Sequence, residues 1–267
     1  MRPGDLFRHF DRPGCFQMAL DRVLTDTPPE KPLLRFYTWQ PWTLSLGFHQ
    51  QIDPQLLQRA REAGVPIVRR DTGGRAVYHA QELTYSFIVS INDPLAEYGL
   101  LPLYHKINSA LLRGFEDLGV AGTQASNSID LRQHYRSQEA DICFSTSVQS
   151  EIVYGTRKLV GSAQRRFQNT VLQHGSILLG PTHERIVDLL FAPDDRPGAL
   201  QVIKRKSICL AEITAEKPLL ERSALEKMST ALAKGFRAEF DIDFTEAIPD
   251  DCITAAVEKI ESSFKVE

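Results

Sequence analysis

Residues 65–90 read VPIVRRDTGGRAVYHAQELTYSFIVS, and the rest of the chain is read outward from them. Val65 to Arg70 is a short apolar run closed by two arginines. Leu83 to Ser90 alternates apolar and small polar residues, so both ends of the stretch suit strands. Between them stands Asp71-Thr72-Gly73-Gly74-Arg75. Two glycines let a backbone come close to a ligand, and arginine forks beside them suit a phosphate, a pantetheine arm or the polar end of an acyl chain. Taken alone, the same residues also fit a β-hairpin with a tight turn and solvated arginines.

On the N-terminal side, Phe16, Ala19, Leu20, Val23 and Leu24 share one face of a first amphipathic helix. Thr25 to Pro32 is a proline-rich loop, and strands are expected at Leu33–Tyr37 and Thr43–Phe48. Gly47, at the end of the second, can free the backbone to bend or let a ligand approach. Asp53-Pro54 opens a helix that stops at Gly64. On the C-terminal side, Ile107, Leu111, Phe115 and Leu118 predict a helix, followed by a short strand and a polar surface loop from Ile129 to Asp141. Strands are expected at Ser150–Tyr154, Lys158–Gln164 and Asn169–Leu179. Thr182 is placed to cap a short helix, Arg196–Lys206 reads as basic and irregular, and Ser223-x-x-Glu226 reads as a capping box opening a long helix. Strands lie close together without strict βαβ alternation. The expected fold class is α+β, with mixed or antiparallel sheets and helices packed outside.

The 267 residues are 42% apolar and 24% charged, with a formal charge of −3. Such a balance argues against non-specific nucleic-acid binding. No apolar run is long enough to span a bilayer, and the N-terminus lacks the layout of a signal peptide, so a cytoplasmic protein is expected. Cys15, Cys143, Cys209 and Cys252 are widely spaced, which suits neither a zinc site nor a disulfide framework.

Four groups could carry chemistry. Cys143, after the polar loop, is either a nucleophilic thiol or a small core residue beside Ile142 and Phe144. Lys158 opens a strand that continues Gly161-Ser162-Ala163. A lysine there can reach a cleft and donate to a carbonyl or phosphate oxygen, or remain a solvated turn residue. The small residues after it make room for a slim apolar ligand or for close packing. His79 and His174 are proton carriers near these motifs, or satisfied structural histidines. The run Lys204-Arg205-Lys206 is a solvated patch or a surface for an acidic carrier domain.

Together these motifs resemble one family. Arg69-Arg70-x-Thr72-Gly73-Gly74-Arg75-Ala76-Val77-x-His79 with Glu82-Leu83-Thr84-Tyr85-Ser86 is similar to the signature of the lipoate–protein ligase, octanoyltransferase and biotin–protein ligase superfamily. Leu44-Ser45-Leu46-Gly47-x-x-Gln50, Lys158-Leu159-Val160-Gly161-Ser162-Ala163-Gln164 and Leu172-Gln173-His174-Gly175-Ser176-Ile177-Leu178 follow in the family's order. The resemblance covers roughly residues 16 to 190. It implies a class II biotin–protein ligase-like catalytic fold and a single catalytic domain over 1–267, with a core at about 16–190 and a helical extension at about 207–267. Within the superfamily the chain resembles LipM-type octanoyltransferases. Arg75 stands where the ligases tend to carry a third glycine, and Cys143-Phe144 matches the Cys-Phe context upstream of the Lys-x-x-Gly-Ser-Ala strand. Asp141 and Ser145-Thr146 stand where a proline is often seen.

The resemblance implies acyl transfer through a thioester. Octanoyl-acyl carrier protein is the donor, Cys143 the nucleophile, and Lys158 with nearby backbone N–H groups the oxyanion holder. Arg70, Thr72, Gly73, Gly74, Arg75, His79, Gly161, Ser162, Ala163 and His174 are the expected substrate-binding residues. A lysine of a lipoyl-domain protein, such as the H protein of glycine cleavage, accepts the octanoyl group, with His79 a candidate base. No ATP, other cofactor or metal is implied, and members of this size are often monomers. The alternatives are an ATP-dependent lipoate–protein ligase, octanoyl transfer between lipoyl-domain proteins, biotin ligation, and a silent module that binds lipoyl domains or free lipoate.

Overall fold

The computed structural model describes residues 1–124, 151–215 and 220–266. From the N-terminus, β1 (Arg2–Arg12) leads into α1 (Gly14–Asp26), then β2 (Leu33–Trp39), β3 (Thr43–Leu46) and α2 (Pro54–Glu62). There follow β4 (Ile67–Arg69), β5 (Val77–His79), β6 (Glu82–Ser90), α3 (Leu100–Glu116), β7 (Thr123–Gln124), β8 (Ile152–Tyr154), β9 (Arg157–Arg166) and β10 (Thr170–Leu178). The C-terminal part holds helices at Ile186–Leu190, Arg196–Lys206, Leu210–Thr214 and Arg222–Phe240, then β11 (Ile242–Glu246) and a helix at Asp251–Ile260.

Among the described residues the strands form two sheets. The larger runs β11-β1-β2-β6-β10-β9-β8-β7, and the smaller β4-β3-β5. Pairing is parallel for β11/β1, β1/β2 and β3/β4 and antiparallel elsewhere, so the sheets are mixed as expected. The Val65–Ser90 stretch is not a hairpin. Its first strand and β5 flank β3 in the small sheet, while β6 leaves for the large one. The Gly-rich loop therefore crosses over the end of β3.

Period-two alternation sorts the large sheet into two unlike faces. Leu34 and Phe36 of β2 and Leu83, Tyr85, Phe87 and Val89 of β6 join an apolar core with Ile107, Leu111 and Phe115 of α3 and Leu232 and Phe236 of the Arg222–Phe240 helix. The two helices cross closely at Gly114 and Gly235, where a Cβ on Gly235 would stand 2.1 Å from Ala110 O. The opposite face meets α1 through Met18, Leu20 and Val23, packed with Leu33, Tyr37, Trp39, Ile88 and Leu172. Between those apolar contacts the same face carries Arg35, Glu82, Thr84, Ser86, His174 and Ser176, all buried. Buried polar groups need partners, and the site is built from the way they find them.

The expected start and stop of α2 held. The Asp53 side chain accepts from Gln55 N at 2.9 Å with Pro54 in the first turn, and Gly64 follows α2 with φ of +64°. Three other expectations did not hold. Arg196–Lys206 is a helix, because Ile203 is buried in the cluster of Ile186, Val187 and Leu189, and that outweighs the charge that hid the pattern. The Arg222–Phe240 helix begins one residue before Ser223, with Glu221 at its N-cap and no side-chain cap bond. Thr182 lies inside a 3-10 turn from Pro181 to Arg185, started by the proline. Strand β1 was not anticipated, since Pro3-Gly4-Asp5 reads as a turn; β2 and β11 on either side impose the extended form. The polar loop from Ile129 to Asp141 and Cys143 lie outside the described residues. Among the described residues no helix is long and apolar enough to cross a membrane.

Candidate functional site

Both sheets contribute to one cavity. Met18 of α1, Trp39 of β2, Ser45 of β3, His79 of β5, Thr84 of β6, Lys158 of β9 and Ser176 of β10 all face it. Of the residues expected from the sequence, Arg70, Gly74, Arg75, His79, Lys158, Gly161, Ser162, Ala163 and His174 line it. Thr72 stands one shell back and Gly73 is exposed on the loop.

The Gly-rich loop is fixed by its own arginines rather than left with forks free for a ligand. Arg70 donates to the carbonyls of Gly73 at 3.1 Å and Arg75 at 2.7 Å, and Arg69 donates to those of Gly47 at 2.7 Å and Gln50 at 2.8 Å. Phe48 N donates to Thr72 O at 2.9 Å. The loop lies so close to the end of β3 that a Cβ on Gly47 would stand 1.9 Å from Gly74 O. Gly74 adopts φ of +98°, a conformation only glycine takes at little cost.

His174 is tied on both ring nitrogens. Nδ1 stands 3.4 Å from Asp21 Oδ2 and Nε2 2.6 Å from Thr72 Oγ1. An ionised carboxylate only accepts, so Nδ1 donates to Asp21, while Nε2 and the Thr72 hydroxyl share a hydrogen bond. Asp21 also pairs with Arg35 and accepts from Ser86 at 3.1 Å and Tyr37 at 3.2 Å. Burial alone would raise the Asp21 carboxyl, but Arg35 against it and the bonds from His174 and Ser86 hold it below the ordinary range. The network joins α1, β2, β6 and β10 to the Gly-rich loop.

A second row runs through His79. Its Nδ1 is 2.7 Å from Glu82 Oε1 and its Nε2 is 2.7 Å from Ser45 Oγ, which accepts from Arg70 at 2.9 Å. Glu82 also accepts from Thr84 at 2.5 Å and from Ser176. Trp39 stacks on the imidazole with centroids 3.9 Å apart.

Lys158 is 3% exposed and its Nζ donates to Glu151 Oε1 at 2.5 Å. The solvated alternative for this lysine is thereby excluded. Its strand is anchored from outside by Ile208 N, which donates to Lys158 O at 3.0 Å. Beyond Lys158, Gly161-Ser162-Ala163 pairs with Ser176-Gly175-His174. Apart from His174 the side chains here are small on both strands, and a Cβ on Gly175 would stand 2.6 Å from Ser162 Oγ and 2.7 Å from the Tyr85 ring. The result is a slot with a cation at one end, able to hold a slim acyl chain and polarise a carbonyl. Of the other cysteines, Cys209 is buried, and burial pushes its thiol up to about 11, so it is no nucleophile at neutral pH.

The sequence reading missed Asp21, Arg35, Ser45, Glu82 and Glu151 as site residues. For Glu82 a signal existed: Glu82, Thr84 and Ser86 alternate with Leu83, Tyr85 and Phe87, a pattern normally given to a half-exposed strand. Here both faces are covered, so the polar face is an interior.

Residues 13–237 match the family of the lipoyl protein ligase A/B catalytic domain. The chain is 33% identical over 261 residues to an octanoyltransferase LipM of Brevibacillus brevis, covering 95% of this chain and 93% of that protein. It is 35% identical over 237 residues to one from Geobacillus kaustophilus, with 86% and 84% covered. The fold is similar to that of a bipartite lipoate protein ligase from Thermoplasma acidophilum, with a TM-score of 0.75 at 18% identity over 98% of this chain and 93% of that one. A lipoate-protein ligase A bound with ATP gives 0.71 at 21% identity, with 97% and 94% covered.

Proposed function

The chain belongs to the lipoyl protein ligase A/B catalytic-domain family, and we propose that it is the octanoyltransferase of lipoate biosynthesis, working through a cysteine thioester. The observation that carries the reading is Lys158, buried in the slot between the Gly-rich loop and the Gly161–Ala163 strand. The names of relatives at 33–35% identity support octanoyl transfer. Cys143 is the proposed nucleophile; it stands eight positions before Glu151 in sequence, and Glu151 is the partner of Lys158.

The donor is octanoyl-acyl carrier protein. The Cys143 thiolate attacks the thioester carbonyl, and the carbonyl oxygen gains charge that Lys158 Nζ and backbone N–H groups stabilise. The carrier's pantetheine thiolate leaves, and the octanoyl group remains on Cys143. The ε-amine of a lysine on a lipoyl-domain protein then attacks, an amide forms and the Cys143 thiolate departs. The donor thioester is already activated, so no nucleotide enters. Arg70, Thr72, Gly73, Gly74 and Arg75 shape the wall against which the acyl group lies, and His174 holds that wall to α1 through Asp21. A single domain acting as a monomer completes the proposal.

The test is acceptor modification. An apo lipoyl domain incubated with this protein and octanoyl-acyl carrier protein, without ATP, gains an octanoyl group on its target lysine. Modification only from free octanoate or lipoate with ATP would replace this reading with the ligase.

A further inference from the structure

Forming the amide requires the attacking nitrogen to shed a proton, and Lys158, itself a hydrogen-bond donor to Glu151, is poorly placed to take it. The Ser45–His79–Glu82 row offers a path. Arg70 can only donate, so the Ser45 oxygen accepts from it, and the Ser45 hydroxyl proton is left to point at His79 Nε2. Glu82 accepts on both oxygens from His79, Thr84 and Ser176, which places the remaining imidazole proton on Nδ1. The resting row is thus a hydroxyl feeding a neutral imidazole backed by a carboxylate. The Trp39 ring lies parallel to the imidazole, at an interplanar angle of 14°, and fixes its plane. Ser45 and His79 line the cavity that holds Lys158, and Glu82 lies behind them at 1% exposure.

Resting on the octanoyl-transfer reading, we infer that Ser45 and His79 form the proton path of the amide-forming step. The acceptor amine reaches the acyl-enzyme uncharged, its first proton lost to water. The nitrogen–carbon bond forms, the carbon–sulfur bond breaks, and the thiolate leaves with the electron pair. The surplus proton on nitrogen passes to Ser45 Oγ as the Ser45 proton passes to His79 Nε2. The imidazolium, held by Glu82, returns the proton to solvent before the next turnover. Ser45 is the group that touches the nucleophile; His79 and Glu82 act through it. Acylation of the enzyme by a thioester transfers no such proton, so the path serves one half-reaction only.

The charged and titratable groups facing His79 are Glu82 on its own turn and strand β6, Arg70 from the loop and His174 from β10. Burial lowers the imidazole, Arg70 and His174 add to that, and Glu82 opposes them, leaving it below the ordinary histidine value. It is therefore empty and ready to accept at neutral pH.

The test separates the half-reactions on the full-length protein. Octanoyl-enzyme is loaded from octanoyl-acyl carrier protein, then discharged either by an apo lipoyl domain or by hydroxylamine, a small nucleophile whose weakly basic nitrogen gives up its surplus proton to water without a protein base. In Ser45→Ala, loading and hydroxylamine discharge serve as the references, and any loss from the missing Arg70 contact lowers both together. Discharge to the lipoyl domain falls about 10²-fold further than either reference, the usual size of a general-base contribution. Both proteins decline toward acid pH as the acceptor amine protonates, and wild type is expected to show an additional acid limb from His79 that the variant lacks. His79→Gln, which hydrogen-bonds without taking a proton, gives the same split. Equal slowing of loading and both discharges, or unimpaired transfer to the lipoyl domain in Ser45→Ala, would overturn the relay while leaving the transferase reading intact. Failure of the wild type to take up any octanoyl group would remove the transferase reading, and the relay with it.

Discussion

Gly47→Ala tests whether the cavity wall depends on the close approach of β3 to the Gly-rich loop. The new methyl would stand 1.9 Å from Gly74 O and 2.8 Å from Gly74 C. Non-bonded contacts need about 3 Å or more, so the loop would have to recede by about 1 Å. It cannot do so freely. Phe48 N holds Thr72 O at 2.9 Å, and Arg70 holds the Gly73 and Arg75 carbonyls. Overpacking of this kind costs about 1–3 kcal/mol. For a chain of this size that corresponds to a fall in Tm of roughly 2–4 °C per kcal/mol. A wall displaced by about 1 Å should also lower octanoyl transfer about 10²-fold. Gly64→Ala is the control: its φ is +64° but nothing lies within 4 Å of the added methyl. It should cost about 1–2 kcal/mol through the backbone alone and leave transfer unchanged. Thermal unfolding and acceptor modification are measured on both. If Gly47→Ala transfers as well as Gly64→Ala, the loop is not held against β3 in the working enzyme.

Other outcomes follow from the same geometry. Gly73 has open space around its Cα and no positive φ, so Gly73→Ala should leave Tm within about 1 °C but raise the KM for the acyl donor, as read by initial rates, because only a bound substrate would meet the methyl. Lys158→Met should abolish transfer and also destabilise by about 3–5 kcal/mol, since it takes the cation from beside the buried Glu151 carboxylate. Adding Glu151→Gln should restore most of that stability in a denaturant titration and none of the transfer. His183 is buried and its imidazole is pushed down to about 4, chiefly by burial. The unfolded chain therefore binds a proton near pH 6.5 that the folded one refuses until about pH 4, and stability is lost as pH falls through that window. The loss attributable to His183 approaches about 3 kcal/mol at the acid end. Denaturant titrations of His183→Gln should show a correspondingly flatter dependence between pH 6.5 and 4.

The sequence made legible part of what depended on local rules, although the Ser223 capping box and the Thr182 cap did not form. Asp53-Pro54 began α2 and Gly64 ended it, and the apolar face of α1 could be read from spacing. Nine of the named site residues met at one cavity because their motifs lie at the ends or interiors of strands that pair in register, as Gly161-Ser162-Ala163 does with Ser176-Gly175-His174. Partnerships across the fold were not legible. Nothing local says that Asp21 will meet Arg35 and His174, or that Ser45 will meet His79, since each pairing joins separate elements that only the packed fold brings together. Arg70 was expected to face a ligand and instead spends its donors on Ser45 and the loop carbonyls while still lining the cavity. The buried polar face of β6 was hidden for a related reason: alternation reports which residues differ, and only the layers on both sides decide that neither is wet.

The most direct test of the central claim is the intact mass of the purified protein after exposure to octanoyl-acyl carrier protein without ATP. The account predicts a gain of one octanoyl group, removed by hydroxylamine, transferred to an added apo lipoyl domain, and absent in Cys143→Ala. An adduct that persists in Cys143→Ala, or acceptor modification that proceeds at the wild-type rate in that variant, would contradict it.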